Sequence, residues 1–347
     1  MRSPPLFVFI AIALCVTACT THEGDDAGEC ADGADNDSDG LWDCDDPDCA
    51  GAPECGEDTG LDAFVSTQGV SWLAVAAGGV SSCGLQSDGL AHCWGSDETH
   101  QASPPGSSLT QVGVTFYHGC GLDLDGLIRC WGCGGNEDHG QCDAPTGSFE
   151  QVTVGSYHSC ALDSAGVATC WGCGYDYDQC DPVDTTYIQL SAGSQHSCGI
   201  DEDGAIRCWG DGDNGKLDAP EGEWTTVSAG KWHSCGVTDD GAVDCWGCLG
   251  DDDGEPYDHG QCQTPSGSFT QVSAGSYHSC ALQSDGALTC WGCIGQDGDS
   301  DVDLGQCTPP SGSFEAVTVG KYHSCALRDD ARIVCWGNDY FGQVTPP

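Results

Sequence analysis

The stretch FTQVSAGSYHSCALQSDGALTCWG, positions 269 to 292, reads as three short apolar and β-branched runs separated by polar, glycine-containing turns, with no helical periodicity. The pattern predicts a strand over FTQVSAG, a turn at Gly-x-x-His, a second strand over HSCAL, a turn at Ser-Asp-Gly and a third strand over ALTCWG. A polar loop ending in Pro closes the unit. From Trp72 onward the unit recurs seven times, and the first cysteine of each copy falls at 83, 120, 160, 198, 235, 280 and 325. A period of 37 to 45 residues built from strands and Asp-Gly turns predicts a propeller or a solenoid. The copies divide at about 72–109, 110–149, 150–187, 188–224, 225–269, 270–314 and 315–347.

Each hairpin has a fixed parity. With Asp285 at the centre of its turn, Cys280 faces Cys290, Ala281 faces Thr289 and Leu282 faces Leu288. Residues directly opposite in an antiparallel pair have Cβ atoms roughly 4.5–5.5 Å apart, close to disulfide reach. The same spacing pairs Cys83 with Cys93, Cys120 with Cys130, Cys160 with Cys170, Cys198 with Cys208, Cys235 with Cys245 and Cys325 with Cys335. Aliphatic pairs lie two residues further in, as Leu122 with Ile128, Ile200 with Ile206 and Leu327 with Ile333. Alternation therefore sets each proposed bridge on an apolar face.

A second set of cysteines occurs only as complete pairs: Cys133 with Cys142, Cys173 with Cys180, Cys248 with Cys262, and Cys293 with Cys307. Copies one, four and seven lack both members and carry Ser96, Asp211 and Asn338 at the first site. Joint presence and joint absence is the signature of a covalent pair. The Cys-x-x-Cys spacing, as in Cys130 to Cys133, is also that of a zinc or redox half-site. Yet the first cysteine of that spacing has a hairpin partner in every copy, so structural disulfides account for the pattern without a metal.

Composition narrows the choices further. The 347 residues include 28 Cys and 55 acidic side chains against 8 basic ones, for a formal net charge of -47. Charge of that sign repels nucleic acid, anionic lipid and phosphorylated substrates. A hydrophobic content of 39% with 11 Trp nevertheless points to a packed core rather than disorder.

The amino terminus, MRSPPLFVFIAIALCVTAC, has one Arg, an apolar run from Leu6 to Val16 too short to span a bilayer, and small residues before Cys19. Val16-Thr17-Ala18-Cys19 resembles the lipobox of bacterial lipoproteins. The resemblance implies a signal peptide over 1–18, acylation of Cys19, and a chain lipid-anchored to the outer membrane or surface of a bacterium. Export is consistent with disulfides. Residues 19–60 form an acidic, cysteine-rich tether before a propeller over 61–347. Within it Asp35, Asp37, Asp39, Asp43 and Asp46 follow the alternate-oxygen spacing of a calcium loop around Gly40, so calcium is the one expected cofactor. The alternative is a solvated acidic spacer. Cys30, Cys44, Cys49 and Cys55 permit three pairings. Asp297, Asp299, Asp301 and Asp303 form a weaker second calcium candidate.

Gly-x-x-His-Ser-Cys-Ala-Leu, Asp-Gly, Cys-Trp-Gly and a later Gly-Gln resemble the repeats of the regulator of chromosome condensation family, over about 270 residues. The short copies are most similar to its compact bacterial branch. The resemblance implies an all-β, seven-bladed propeller with Trp94, Trp131, Trp171, Trp209, Trp246, Trp291 and Trp336 packed between blades. Departures are the hairpin cysteines, Ser81 in place of His, and Thr115 in place of Gly. The two ends of the repeat region are expected to meet and close a ring.

Six in-frame histidines, His118, His158, His196, His233, His278 and His323, lie in a turn that every copy must build, and hydrogen bonding to nearby backbone is their expected role. The residue before each varies: Tyr117, Tyr157, Trp232, Tyr277 and Tyr322, with Gln195 and Val80 in the other copies. All seven turns should emerge at one end, so these aromatics would form a broken circle suited to capturing a partner, or would pack on neighbouring blades. No Gly-x-Ser-x-Gly, phosphate loop or metalloprotease helix is present. The expectation is a monomeric binding propeller that engages a protein or glycan, with no organic cofactor and no nucleic acid. Two alternatives stand beside it: a calcium-dependent structural or adhesion component, and a hydrolase or lyase with a site at the channel mouth.

Overall fold

The computed structural model describes residues 71–134, 138–174, 177–248, 259–293 and 303–347. The chain divides into two compact units, Met1–Val65 and Ser66–Pro347, and every described residue belongs to the second. Cys19 and the carboxylates of Asp35, Asp37, Asp39, Asp43 and Asp46 lie outside the described residues, as do Asp297, Asp299 and Asp301.

The described residues form seven three-stranded antiparallel sheets, each made of consecutive strands in the order of the chain. The first blade is Trp72–Ala77, Ser81–Gln86 and Ala91–Gly95; the sixth is Phe269–Ala274, Ser279–Gln283 and Leu288–Trp291. One short 3-10 turn, Asp213–Gly215, is the only helical element among the described residues. No helix there is long and apolar enough to cross a membrane.

Hairpin register follows the parity of the sequence. Cys280 pairs with Cys290, Ala281 with Thr289 and Leu282 with Leu288. Seven hairpin disulfides result, each with a Cα–Cα distance of 4.0 Å. The four loop pairs are also bridged, Cys133–Cys142, Cys173–Cys180, Cys248–Cys262 and Cys293–Cys307, with Cα atoms 6.0–6.1 Å apart. The first hairpin cysteine of every blade is fully buried. Bridges in such number belong to a protein of an oxidising compartment.

The apolar core is divided among the seams. Each of seven clusters draws on two adjacent blades; one joins Cys83, Leu85, Ala91, Leu109, Val114 and Trp131 across blades one and two. The seventh, of Trp72, Trp94, Leu327 and Ile333, joins blade seven to blade one and closes the ring. Full burial of a Leu or Ile contributes roughly 1.5–3 kcal/mol, so each seam is held chiefly by hydrophobic contact.

Candidate binding face at one end of the propeller

The Gly-x-x-His turns approach one another so closely that a side chain would collide. A Cβ on Gly155, Gly193, Gly230, Gly275 or Gly320 would stand 2.1–2.4 Å from the carbonyl oxygen of the next turn. Backbone bonds join successive turns, as from Ser194 N to the Gly230 oxygen at 3.1 Å and from Lys231 N to the Gly275 oxygen at 3.0 Å. Thr115, the exception, donates its own hydroxyl to the Gly155 oxygen at 3.0 Å.

The histidines do not bond to nearby backbone through their Nε2 atoms, which corrects the expectation from sequence. Each Nε2 lies 2.7–2.9 Å from a serine hydroxyl of the following blade: His118 with Ser159, His158 with Ser197, His196 with Ser234, His233 with Ser279, His278 with Ser324, and His323 with Ser82. The remaining seam is vacant on both sides, with Ser81 in the histidine position and Gly119 in the serine position. A Cβ at Gly119 would lie 2.4 Å from the Trp131 ring, which fills that space. Ser–His pairs at this distance resemble hydrolase dyads, but all twelve side chains are at most 1% exposed. Burial holds His233 and His278 down to about 3 and His158 and His323 to about 4; His118, at about 3, is lowered further by His158. The imidazoles are neutral struts.

A second lock uses the Gly-Gln loops. All seven blade tryptophans donate from Nε1 to a loop carbonyl of the preceding blade at 2.8–3.0 Å, with Trp94 reaching Gln343 across the closing seam. Six of these carbonyls belong to buried glutamines; in blade four the residue is Lys216, 1% exposed, paired with Asp211 at 2.6 Å. Asp211 occupies the site of a loop cysteine. Blade seven makes a comparable exchange, with Gln343 donating to Asn338 at 2.9 Å. Where the loop disulfide is missing in these two blades, a polar bond spans the same loop.

The residue before each histidine is half-buried. Tyr117 and Tyr157 approach across a seam with ring centroids 5.3 Å apart, and Tyr277 stacks on Tyr322 at 5.1 Å with planes 12° apart. Burial, the neighbouring Tyr277 charge and a hydrogen bond with Tyr277 push Tyr322 up to about 12. Trp232 carries the Lys231 ammonium 4.6 Å from its ring centroid. The structure thus brings four of the five predicted aromatics together as two pairs. It also adds an outer row that sequence reading missed, one residue ahead of the Gly-Gln in three blades: His139 against Tyr157 at 6.4 Å and His259 against Tyr277 at 5.5 Å. Phe341, 41% exposed, holds the same loop position in blade seven. The shared offset from Gln141, Gln261 and Gln343 was the available signal.

Inside this collar runs a central channel of about 400 Å³, walled by the first strands of all seven blades. Its wall is Val, Ala, Gly, Leu, Ser, Thr and Gln, and several of the polar side chains bind backbone of the next blade, as Ser191 accepts from Ala229 N at 2.9 Å. Phe116, Lys231 and Lys321 complete one rim, and no Asp, Glu or His lines the channel. Among the described residues, no group of three or more His, Cys, Asp or Glu side chains is placed to hold a metal ion.

A ring of seven three-stranded blades, locked by His–Ser and Trp–carbonyl bonds and presenting an aromatic collar, defines a β-propeller of the protein-interaction scaffold kind. Five segments, 149–178, 187–216, 224–254, 269–298 and 314–343, match the regulator of chromosome condensation (RCC1) repeat, and the chain is a propeller of RCC1 repeats. No curated protein sequence matches the chain. Among solved structures it is similar to the ectodomain of the receptor kinase CR4 of Physcomitrella patens, at 26% identity and a TM-score of 0.62 over 77% of this chain and 74% of that one. The CRINKLY ectodomain of the Arabidopsis thaliana receptor kinase ACR4 shares the fold at 24% identity and a TM-score of 0.59, covering 78% of this chain and 99% of that one. Human WBSCR16 shares it at 16% identity and 0.55, covering 72% and 84%.

Proposed function

We propose that the chain is an extracytoplasmic scaffold, anchored through an acylated Cys19, that captures a protein partner on the collar of Tyr117, Tyr157, Trp232, Tyr277 and Tyr322. The observation that carries this reading is the contrast within one turn. The histidine is buried in a seam bond, whereas the aromatic before it is only half-buried and varies from blade to blade. Aromatic side chains immobilised against each other lose little entropy on binding, which is what a contact surface requires. The solved relative at 26% identity is the ectodomain of a receptor kinase, which supports a role outside the cytoplasm. A catalytic reading has less support, because no carboxylate or imidazole lines the channel.

The test is quantitative capture of one partner from the native envelope, identified with the wild-type propeller and then measured with variants. Trp232→Ala combined with Tyr277→Ala should abolish capture. Leu124→Ala, in an exposed turn at the other end of a hairpin, should leave it intact. Unchanged affinity in the collar variant removes this face from consideration. Labelled palmitate incorporated into wild type but not Cys19→Ala checks the anchor.

A further inference from the structure

We propose that the channel rim formed by Lys231, Ser276 and Lys321 is a binding site for the oxyanion of a small ligand, a carboxylate or a phosphate. The chain holds 55 acidic residues and 8 basic ones, so a cation on its surface readily meets a carboxylate. Arg129, Arg207, Lys216, Arg328 and Arg332 all do, with an aspartate oxygen within 3.7 Å. Lys231 and Lys321 depart from that rule. Among the described residues neither has a carboxylate partner; each instead lies over an aromatic face, 4.6 Å from Trp232 and 4.8 Å from Tyr322. A ring satisfies one side of an ammonium and leaves hydrogen-bond donors on the other.

The two lysines occupy the same turn position in blades five and seven, and Ser276 occupies it in blade six between them. Backbone bonds from Lys231 N to the Gly275 oxygen at 3.0 Å and from Ser276 N to the Gly320 oxygen at 3.2 Å fix the three residues in one arc. The Ser276 hydroxyl, on a residue 5% exposed, has no hydrogen-bond partner among the described residues. Burial and the nearby Lys321 charge, opposed by Tyr277, hold Lys231 below the ordinary lysine range. Two unpaired ammoniums on one rim repel each other, and an anion seated between them relieves that repulsion while accepting from the serine. The wall behind them is small and carries no Asp or Glu, so no carboxylate lining the channel opposes the ligand, and the two ammoniums act at contact distance against the long-range, salt-screened repulsion of the net charge of -47. The site does not depend on the collar binding a protein.

The chain has three lysines, so ε-carbon labelling of lysine gives three resolvable signals, with Lys216 as an internal control buried in its ion pair. The probes are inorganic phosphate and succinate, titrated against chloride at matched ionic strength. Lys231 and Lys321 should shift saturably with at least one probe while Lys216 stays fixed. Saturation by succinate alone assigns a carboxylate, and by phosphate alone a phosphate. Lys231→Gln and Lys321→Gln should each weaken binding about tenfold, near 1.4 kcal/mol. Ser276→Asp, which supplies a tethered carboxylate, should abolish the response and raise the melting temperature. Signals that ignore both probes, that follow ionic strength without saturating, or that respond equally in Ser276→Asp would overturn the assignment.

Discussion

Two rings of side chains stand one residue apart in the same turn. The histidine ring is uniform: six copies make one bond, to one residue type, on the next blade, at nearly one distance. The ring beside it contains tyrosine, tryptophan, glutamine and valine, and four of its members meet as two pairs, one tilted and one stacked. Repetition in a propeller therefore marks what every seam needs. Departure from repetition, at a position the turn leaves half-exposed, marks what a single molecule uses.

Acid should expose the difference most strongly. Burial holds five of the six seam imidazoles down to about 3–4 in the folded ring and His196 well below its ordinary value, so the unfolded chain takes up protons first as pH falls below the ordinary histidine value of 6.5. Stability present above that value is lost progressively down to the folded values, and the loss begins before carboxylates protonate. Unfolding free energies from chemical denaturation should fall by several kcal/mol in sum across this range, whereas Tyr322 of the collar, pushed up to about 12, contributes nothing there. A flat profile from pH 7 to about 5 would contradict neutral struts.

His196→Ala strands the Ser234 hydroxyl in a seam and should cost roughly 2–4 kcal/mol by denaturant midpoint, without altering partner capture by the folded fraction. Gly119→Ser tests the vacant seam. Its new side chain meets the Trp131 ring, so it should destabilise by roughly 1–3 kcal/mol, and adding Ser81→His should not restore the loss. Tyr277→Ala should change stability least, by about 1 kcal/mol, while removing much of the binding. A larger loss of stability there, with capture preserved, would turn the collar into another structural ring.

The hairpins were legible because a turn centre sets the parity of everything around it. Once Asp285 is fixed, Cys280 can oppose only Cys290. The loop bridges were legible from joint presence. The His–Ser partners were not, because they lie about one repeat apart, where every blade offers the same candidates and spacing carries no information. The clue was one joint exception, Ser81 with Gly119, which read singly looks like drift. Lys216 and Asp211 were equally opaque, since their contact replaces a cysteine of one motif and a glutamine of another. The lysine rim was hidden for a different reason: it depends on which turns become neighbours around the channel, a property of the closed ring alone.

Among the described residues no sheet borrows a strand from its neighbour, and the junction of blades seven and one uses the bonds found elsewhere, His323 to Ser82 and Trp94 to Gln343. The circle consequently has no privileged starting point. A gene rearranged to begin at blade four and end at blade three, with Pro347 spliced through a short linker to Trp72, would encode the same wheel, and the order in which blades are synthesised could be shuffled without changing what the finished rim presents.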